Sequence, residues 1–256
     1  MMNLQKNSNP ILKIVIGLSP ALIIVFISFL PSPAQTIPNK PQRTSPTVTK
    51  IQFPSSPDRG TPKRTGAGGR RGNSCLITKT GQPSLTALMP TWDNHERTAV
   101  KNPMLYVYVP KTTTKTGEFV VIDDEGNEVY QNNFIPPSEP GIVQISIPTS
   151  ASLKTGKKYF WYFTLICNPE DRSQDEYTSG SLERTQLGSL LNSDLKQIAP
   201  LKRAEIYAKN KIWYETISNI ASLRNENPEI WTDLLTSVGL EEFTTIPFVE
   251  FGTPKP

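Results

Sequence analysis

The sequence predicts a mainly β protein: an antiparallel β-sandwich followed by a helical hairpin or a short helical bundle. Three observations support this fold class. Short apolar or alternating segments recur about every ten residues between Cys75 and Arg184, as in sandwich domains. Turns containing Pro or Gly separate these segments. After Thr185 the apolar spacing changes to the three- and four-residue period of amphipathic helices.

The first 34 residues have the features of a signal peptide. Lys6 and Lys13 precede a largely apolar stretch, residues 14–30, and Ser32-Pro33-Ala34 follows with small residues suited to signal peptidase. We therefore predict cleavage after Ala34 and an exported protein, either periplasmic or secreted. The alternative is an uncleaved anchor, because this apolar stretch is close to the shortest that spans a bilayer. Membrane contact is expected only in that case.

Residues 35–74 are predicted to form a disordered linker. The segment is rich in Pro, Ser and Thr and carries eight Lys or Arg residues against a single acid, Asp58. Such a composition buries too little apolar surface to offset the loss of chain entropy. The net charge of +4 arises here, since residues 75–256 contain 17 basic and 22 acidic residues. The basic charge therefore does not indicate a nucleic-acid partner.

Seven short strands are predicted in the β domain, residues 75–185. Asp123-Asp124-Glu125-Gly126-Asn127 separates two of them and has the composition of a hairpin turn. The run 159–167 has no Gly, Pro or charge, so we expect a strand in the middle of a sheet, buried on both faces. This strand count favours an immunoglobulin-like sandwich. The predicted strands are 85–89, 104–109, 118–122, 128–134, 141–147, 159–167 and 180–184.

Cys75 and Cys167 are the two cysteines of the chain. In an exported protein we expect them to form a disulfide bond, with two buried free thiols as the alternative. Two thiols and one histidine, His95, are too few ligands for a zinc site. The sequence predicts no metal and no cofactor. Calcium ligation by the acids of residues 123–127, or by those of residues 171–176, is a minor alternative without EF-hand spacing.

The helical annex is predicted over residues 186–245, with a tail at 246–256. Apolar spacing predicts helices at 187–198, 201–210, 211–224 and 228–238. We expect the annex to pack Trp213 and Trp231 against the sandwich, because large aromatic side chains are rarely left exposed. Docking of the same face on a partner protein is the alternative.

The charged loop after the central strand is the predicted binding site. Asn168-Pro169 ends the strand, because proline has no N–H to donate to the ladder. Asp171, Arg172 and Asp175 follow, in the kind of loop that commonly carries function. Arg172 offers a planar fork to a carboxylate or a sugar hydroxyl. In the alternative interpretation these side chains only stabilise the turn and one another.

An ordered series of motifs resembles a known family. The motifs lie at 71–76, 85–90, 103–110, 140–143, 161–167, 171–173, 213–214 and 231–240. In this order they resemble the exported cyanobacterial family called domain of unknown function 928, over roughly residues 71–243. The resemblance implies an exported cell-envelope or secreted protein without an assigned activity. It supplies no catalytic residues.

The sequence therefore predicts a non-catalytic binding protein of the cell envelope or extracellular space, whose ligand is a protein or a polysaccharide. A Ser-His-Asp triad would have to use His95, which lies in a polar segment that we expect to be a loop, and Gly-x-Ser-x-Gly is absent. One alternative is a carbohydrate-active hydrolase that uses the loop carboxylates Glu170, Asp171, Asp175 and Glu176. Another is an envelope assembly or export accessory that acts through the helical annex.

Overall fold

The computed structural model describes residues 50–55, 74–77, 81–92, 95–188, 195–250 and 252. The predicted signal peptide and residues 35–49 and 56–73 of the predicted linker lie outside the described residues. Within the described part of the chain, no helix combines the length and apolar character needed to cross a membrane.

Within the described residues, eight strands form two sheets. The three-stranded sheet has the order β1-β3-β6, and the five-stranded sheet has the order β2-β8-β7-β4-β5. The mainly β class is confirmed, and seven of the eight strands lie at or next to predicted positions. The strands are β1 (Thr86–Ala87), β2 (His95–Thr98), β3 (Met104–Val109), β4 (Gly117–Asp123), β5 (Glu128–Phe134), β6 (Gly141–Ser146), β7 (Lys158–Leu165) and β8 (Glu176–Arg184).

Strand β2 is the one that the sequence did not predict. It runs parallel to β8, whereas every other strand pair is antiparallel, so the prediction of a wholly antiparallel arrangement is wrong for this pair. Its inward-facing side chains, Glu96 and Thr98, are buried although they are polar. The alternation of apolar and polar residues that normally reveals a half-buried strand is therefore missing.

Strand β7 is the middle strand of the larger sheet, as predicted. Tyr159, Trp161, Phe163 and Leu165 are buried, whereas the residues between them are half-buried. Only one face of β7 therefore meets the core, and the prediction of burial on both faces is wrong. Because aromatic residues occupy both faces, the sequence does not reveal the alternation.

In the part of the chain that the structure describes, three α-helices follow the β domain: α1 (Pro200–Lys209), α2 (Trp213–Leu223) and α3 (Pro228–Ser237). Proline opens α1 and α3, a position where its missing N–H costs no helical hydrogen bond. The first of the four predicted helices, 187–198, is not confirmed. Residues 189–194 lie outside the described residues, and the helical part that is described is a 3-10 turn, Leu195–Gln197.

The annex packs against the sheets through its tryptophans. Trp213 is buried, and its Nε1 donates a hydrogen bond to the Leu88 carbonyl oxygen at 3.0 Å. Trp231 is also buried, within the same hydrophobic core that receives side chains from both sheets. The expected intramolecular packing of the two tryptophans is therefore confirmed.

Residues 50–55 pack on the annex, although the sequence placed them in the disordered linker. Ile51 and Phe53 are both buried. The ring of Phe53 meets the ring of Trp213 edge to face at a centroid distance of 5.1 Å, and the Phe53 N–H donates to Ser237 Oγ at 3.2 Å. Two apolar residues in an otherwise polar segment are enough for this docking, and the linker prediction is wrong for this stretch.

Residues 246–249 pack along β6, although they were predicted to be part of a tail. The Ile142 N–H donates to the Pro247 carbonyl oxygen at 2.8 Å, and the Val249 N–H donates to the Ile142 carbonyl oxygen at 3.0 Å. The Phe248 ring lies between Trp231, at 5.6 Å, and the Arg224 guanidinium, at 3.7 Å. These residues of the predicted tail therefore contact β6 and the annex.

Candidate functional site

A disulfide bond holds the start of the candidate loop. Cys75 and Cys167 are bonded, with a Cα–Cα distance of 5.2 Å, as the sequence predicted. Cys167 comes two residues after the end of β7, so the bond ties that strand end to the segment 74–77. The loop after Cys167 therefore leaves a covalently fixed point.

Asp171 caps the short turn within this loop. Its Oδ1 accepts hydrogen bonds from the Ser173 N–H at 3.1 Å and from Ser173 Oγ at 2.6 Å, and its Oδ2 accepts from Gln174 Nε2 at 2.8 Å. The Ser173 hydroxyl, followed by the Gln174 amide, lowers the pKa of Asp171. Asp171 thus stays ionised and stabilises the turn. The general acid of a glycosidase needs the opposite shift, a raised pKa.

Arg172 and Asp175 form an ion pair within the same turn. Arg172 Nε donates to Asp175 Oδ2, while Asp175 Oδ1 accepts from the Cys167 N–H at 3.1 Å. Arg172 Nη2 donates to Glu118 Oε1 on β4 at 3.1 Å. These partners, Asp175 first, raise the pKa of the guanidinium. The Arg172 side chain remains 50% exposed, so the turn presents a cation that two carboxylates hold in one orientation.

Glu118 connects this turn to the outer face, which we define as the face of the five-stranded sheet turned away from the core. Gln131 Nε2 on β5 donates to Glu118 Oε2 at 3.0 Å, which extends the chain of contacts across two strands. Apart from Ser181, which pairs with Phe160 and is buried, the outer-face side chains are half-buried or exposed. They include Glu118, Val120, Ile122, Gln131, Asn133, Phe160, Tyr162, Thr164, Tyr177 and Ser179.

Three aromatic side chains lie on the outer face: Phe160, Tyr162 and Tyr177. Tyr177 is 43% exposed. It pairs with Thr164, which in turn pairs with Glu118 on the other side. Two strand spacings, about 10 Å, therefore separate Tyr177 from the carboxylate that holds Arg172. The sequence did not reveal these aromatics as a surface, because aromatics in the β7 run occupy both faces of the strand.

The acidic hairpin between β4 and β5 is an ion-paired turn. Gly126 adopts φ +85°, as the predicted hairpin requires. Lys157 Nζ lies 3.2 to 3.3 Å from carboxylate oxygens of Asp123, Asp124 and Glu125. The Asn127 N–H contributes most to lowering the pKa of Asp123, to about 2. An ammonium group therefore occupies the position between these acids where a calcium ion would bind.

The acids of residues 171–176, the second set of possible calcium ligands, also have hydrogen-bond partners within the protein. Glu176 is buried, and its Oε1 accepts a hydrogen bond from Ser74 Oγ at 2.7 Å. Asp171 and Asp175 are engaged as described above. Among the described residues, the carboxylate oxygens of Asp171, Asp175 and Glu176 do not lie close enough together to hold one metal ion.

A buried polar network that the sequence did not predict joins α2 to the sheets. Glu215 accepts hydrogen bonds from Thr98 Oγ1 at 2.6 Å and from the Ala99 N–H at 2.9 Å. Burial raises the pKa of Glu215 to about 7. The neighbouring Tyr214 hydroxyl accepts from Trp161 Nε1 at 3.0 Å and donates to the Ser181 carbonyl oxygen at 3.2 Å. These groups are enclosed in the core, so they link elements and do not meet a ligand.

Comparison with known proteins gives one match that covers most of the chain. The family model DUF928, described as a Domain of Unknown Function, matches residues 66–248. No curated protein matches the chain. The fn3 domain of the human collagen alpha-1(XX) chain is similar over 34% of this chain and 73% of that domain, at 10% identity and a TM-score of 0.23, too low to support any conclusion. Because the family match includes both sheets, the disulfide and all three helices, the protein belongs to the DUF928 family.

Proposed function

We propose that the protein is an exported, non-catalytic binding protein of the cell envelope or extracellular space, and that it binds a polysaccharide across the outer face and Arg172. The signal-peptide features of residues 1–34 support export. So does the Cys75–Cys167 bond, since disulfides persist mainly in oxidising compartments. The resemblance to an exported cyanobacterial family favours a cyanobacterial origin.

The scaffold in this proposal is an immunoglobulin-like sandwich. In variable-type immunoglobulin domains the strands A, B, E and D form one sheet, and the strands G, F, C and C′ belong to the other. The order β1-β3-β6 corresponds to A-B-E, and β8-β7-β4-β5 corresponds to G-F-C-C′. The outer face then belongs to the G-F-C-C′ sheet, which offers a broad and rigid surface.

The observation that carries the proposal is the row of exposed and half-exposed aromatics beside a fixed guanidinium. A sugar ring has a C–H face that stacks on an aromatic ring and hydroxyl groups that pair with planar polar side chains. Tyr177 and Tyr162 supply rings, and Arg172, Glu118 and Gln131 supply fixed donors and acceptors. Side chains on one face of a strand repeat every 6.6 Å or so, which suits a ligand made of repeating units.

A polysaccharide fits this surface better than a protein partner does. Protein interfaces have a desolvated apolar core surrounded by a polar rim. On the outer face, by contrast, polar side chains alternate with the rings: Tyr162 pairs with Ser179, and Tyr177 pairs with Thr164. Hydroxyl and amide groups next to each ring match the mixed chemistry of a sugar.

The test is affinity electrophoresis of the oxidised protein, without residues 1–34, in gels that contain purified envelope or extracellular polysaccharides. We expect at least one polysaccharide to retard the protein, and Tyr177→Ala to weaken binding roughly tenfold, since an anchoring aromatic contributes about 1–2 kcal/mol. Ile77→Ala is the matched control, because Ile77 is similarly exposed, at 48%, and lies outside the outer face.

Three outcomes would contradict the proposal. Retardation that is equal for the wild type and Tyr177→Ala would exclude the outer face as the binding surface. Release of new reducing ends from the retarding polysaccharide would favour the hydrolase alternative, whereas failure of every polysaccharide together with capture of an envelope protein would favour a protein ligand.

A further inference from the structure

We propose that a small cavity at the end of β8 binds an oxyanion group, namely a carboxylate, a sulfate or a phosphate. The cavity has a volume of about 250 Å³ and is lined by Lys101, Thr149, Ser152, Leu153 and Arg184. Arg184 and Tyr177 lie at opposite ends of β8, so this cavity is separate from the outer-face site. The inference does not depend on the proposed function.

Three segments that are distant in the sequence meet at the cavity. Lys101 precedes β3, Thr149 begins a 3-10 turn after β6, and Arg184 is the last residue of β8. The sequence analysis did not single out any of these residues, because their proximity depends on the pairing of strands from both sheets.

Arg184 carries a charge that no acid of the described chain neutralises. Within the described residues, the hydrogen bond from its side chain goes from Nη1 to the Leu153 carbonyl oxygen, at 2.6 Å. Its Nε is buried and has no hydrogen-bond partner. The buried Nε–H therefore lacks an acceptor, which is unfavourable. An anion in the adjoining cavity would pair with this charge.

Lys101 adds a second positive charge at the same cavity. It is exposed, and within the described residues it pairs with no carboxylate. Arginine presents a planar fork that matches two oxygens of one anion, and lysine acts as a mobile point charge. Two cations without an acid between them attract an anion more strongly than either alone.

The remaining lining groups suit the same ligand. Thr149 and Ser152 are exposed and supply hydroxyl donors without negative charge. The volume is smaller than the roughly 300–1,000 Å³ of most small-molecule sites, so the cavity accepts one charged group and not a whole oligosaccharide. Carboxylate, sulfate and phosphate groups share this size and charge.

The test follows the Arg184 Nε–H resonance by ¹⁵N NMR while sodium sulfate, sodium phosphate or sodium acetate is added to the oxidised protein. Sodium chloride at the same ionic strength separates specific binding from screening. We expect a saturable shift with at least one oxyanion and no saturation with chloride. The oxyanion that binds most tightly identifies whether a tetrahedral or a planar group is preferred.

Two variants test whether the shift of the Arg184 resonance reports binding in the cavity. Lys101→Glu should weaken oxyanion binding at least tenfold, because it replaces an attractive charge with a repulsive one, and the exposed position keeps the fold intact. Lys115→Glu is the matched control. Lys115 is also exposed, but it lies far from the cavity. It precedes β4, whose first residue pairs with Leu165 at the end of β7, whereas Arg184 lies beside the start of β7. We expect it to bind like the wild type.

Either of two results would overturn the inference. One is a shift of the Arg184 signal that grows linearly with salt and is the same for chloride as for the oxyanions. The other is equal oxyanion affinity in the wild type, Lys101→Glu and Lys115→Glu, since binding would then lie elsewhere.

Discussion

Arg172 differs from an ordinary surface arginine because each of its carboxylate partners has a further partner. Asp175 also accepts the Cys167 N–H, and Glu118 also accepts Gln131 Nε2. These additional hydrogen bonds fix the two acids, and the acids in turn fix the guanidinium. The Arg172 side chain therefore loses little further conformational entropy when a ligand binds to it.

We predict that Arg172→Ala weakens polysaccharide binding at least tenfold but lowers the free energy of unfolding by only about 1–2 kcal/mol. Arg172 itself is half exposed, and its more buried partners keep other donors, because Asp175 accepts from the Cys167 N–H and Glu118 accepts from Gln131 Nε2. Affinity electrophoresis and urea unfolding measure the two effects. Lys202→Ala is the control, since it removes an exposed ion pair with Glu205 on α1. If Arg172→Ala costs several kcal/mol and leaves binding intact, Arg172 is a structural residue.

Glu215 should make the stability of the protein depend on pH. Its pKa is about 7 in the folded protein and about 4.5 in the unfolded chain, so the folded state holds the proton more tightly. The corresponding stabilisation is fully present below pH 4.5 and is lost as the pH rises through 7. The shift corresponds to about 3 kcal/mol.

We therefore expect urea unfolding of the wild type to show a decrease of this size in the free energy of unfolding between pH 4.5 and 7.5 or so. Glu215→Gln, which cannot ionise, should lack this component. The comparison uses the slopes with pH, so a constant loss of stability in the variant does not affect it. Identical slopes in both proteins would contradict the prediction.

At the scale of elements, β8 packs closely against its neighbours at Gly180. A Cβ atom at this position would overlap Met89 Sδ and the Trp161 ring. We predict that Gly180→Ala destabilises the protein by about 1–3 kcal/mol, the usual cost of overpacking a core. Gly188→Ala is the control, because its added Cβ meets no atom within 4 Å. Equal midpoints of thermal unfolding for the two variants would show that the sheets adjust without cost.

The sequence predicts elements well where local signals agree with the fold. Strands β3 and β5 have the predicted bounds, because Pro103 and Pro110 flank one and the acidic turn precedes the other. Strand β2 was missed, since Glu96 and Thr98 face the core and are stabilised there by tertiary contacts. No local pattern reports such contacts.

The residues of the candidate site also fall into two groups, those that the local sequence could assign to the site and those that it could not. Asp171, Arg172 and Asp175 are close in sequence, so their grouping in one turn could be predicted. Glu118 and Gln131 could not be assigned to the site, because their contact with Arg172 depends on strand register. The cavity at Arg184 likewise depends on long-range pairing.

At the scale of the whole molecule, the disulfide joins residues 92 positions apart. Closing a loop of that length should stabilise the folded protein by about 4–5 kcal/mol, mainly by restricting the unfolded chain. We predict that the double variant Cys75→Ser/Cys167→Ser loses roughly this amount in urea unfolding, and that a reductant lowers the stability of the wild type but not of the variant. An unchanged midpoint on reduction would contradict this prediction.

The two segments at the extremes of the described fold, 50–55 and 246–249, are both anchored. The first is held through Phe53 on Trp213, and the second is held by backbone hydrogen bonds to Ile142. Proteases usually begin at frayed ends, because they need several residues of extended chain in their clefts. A protease that cuts the chain beyond either segment should therefore stop there, and the fragment that it leaves should keep both segments.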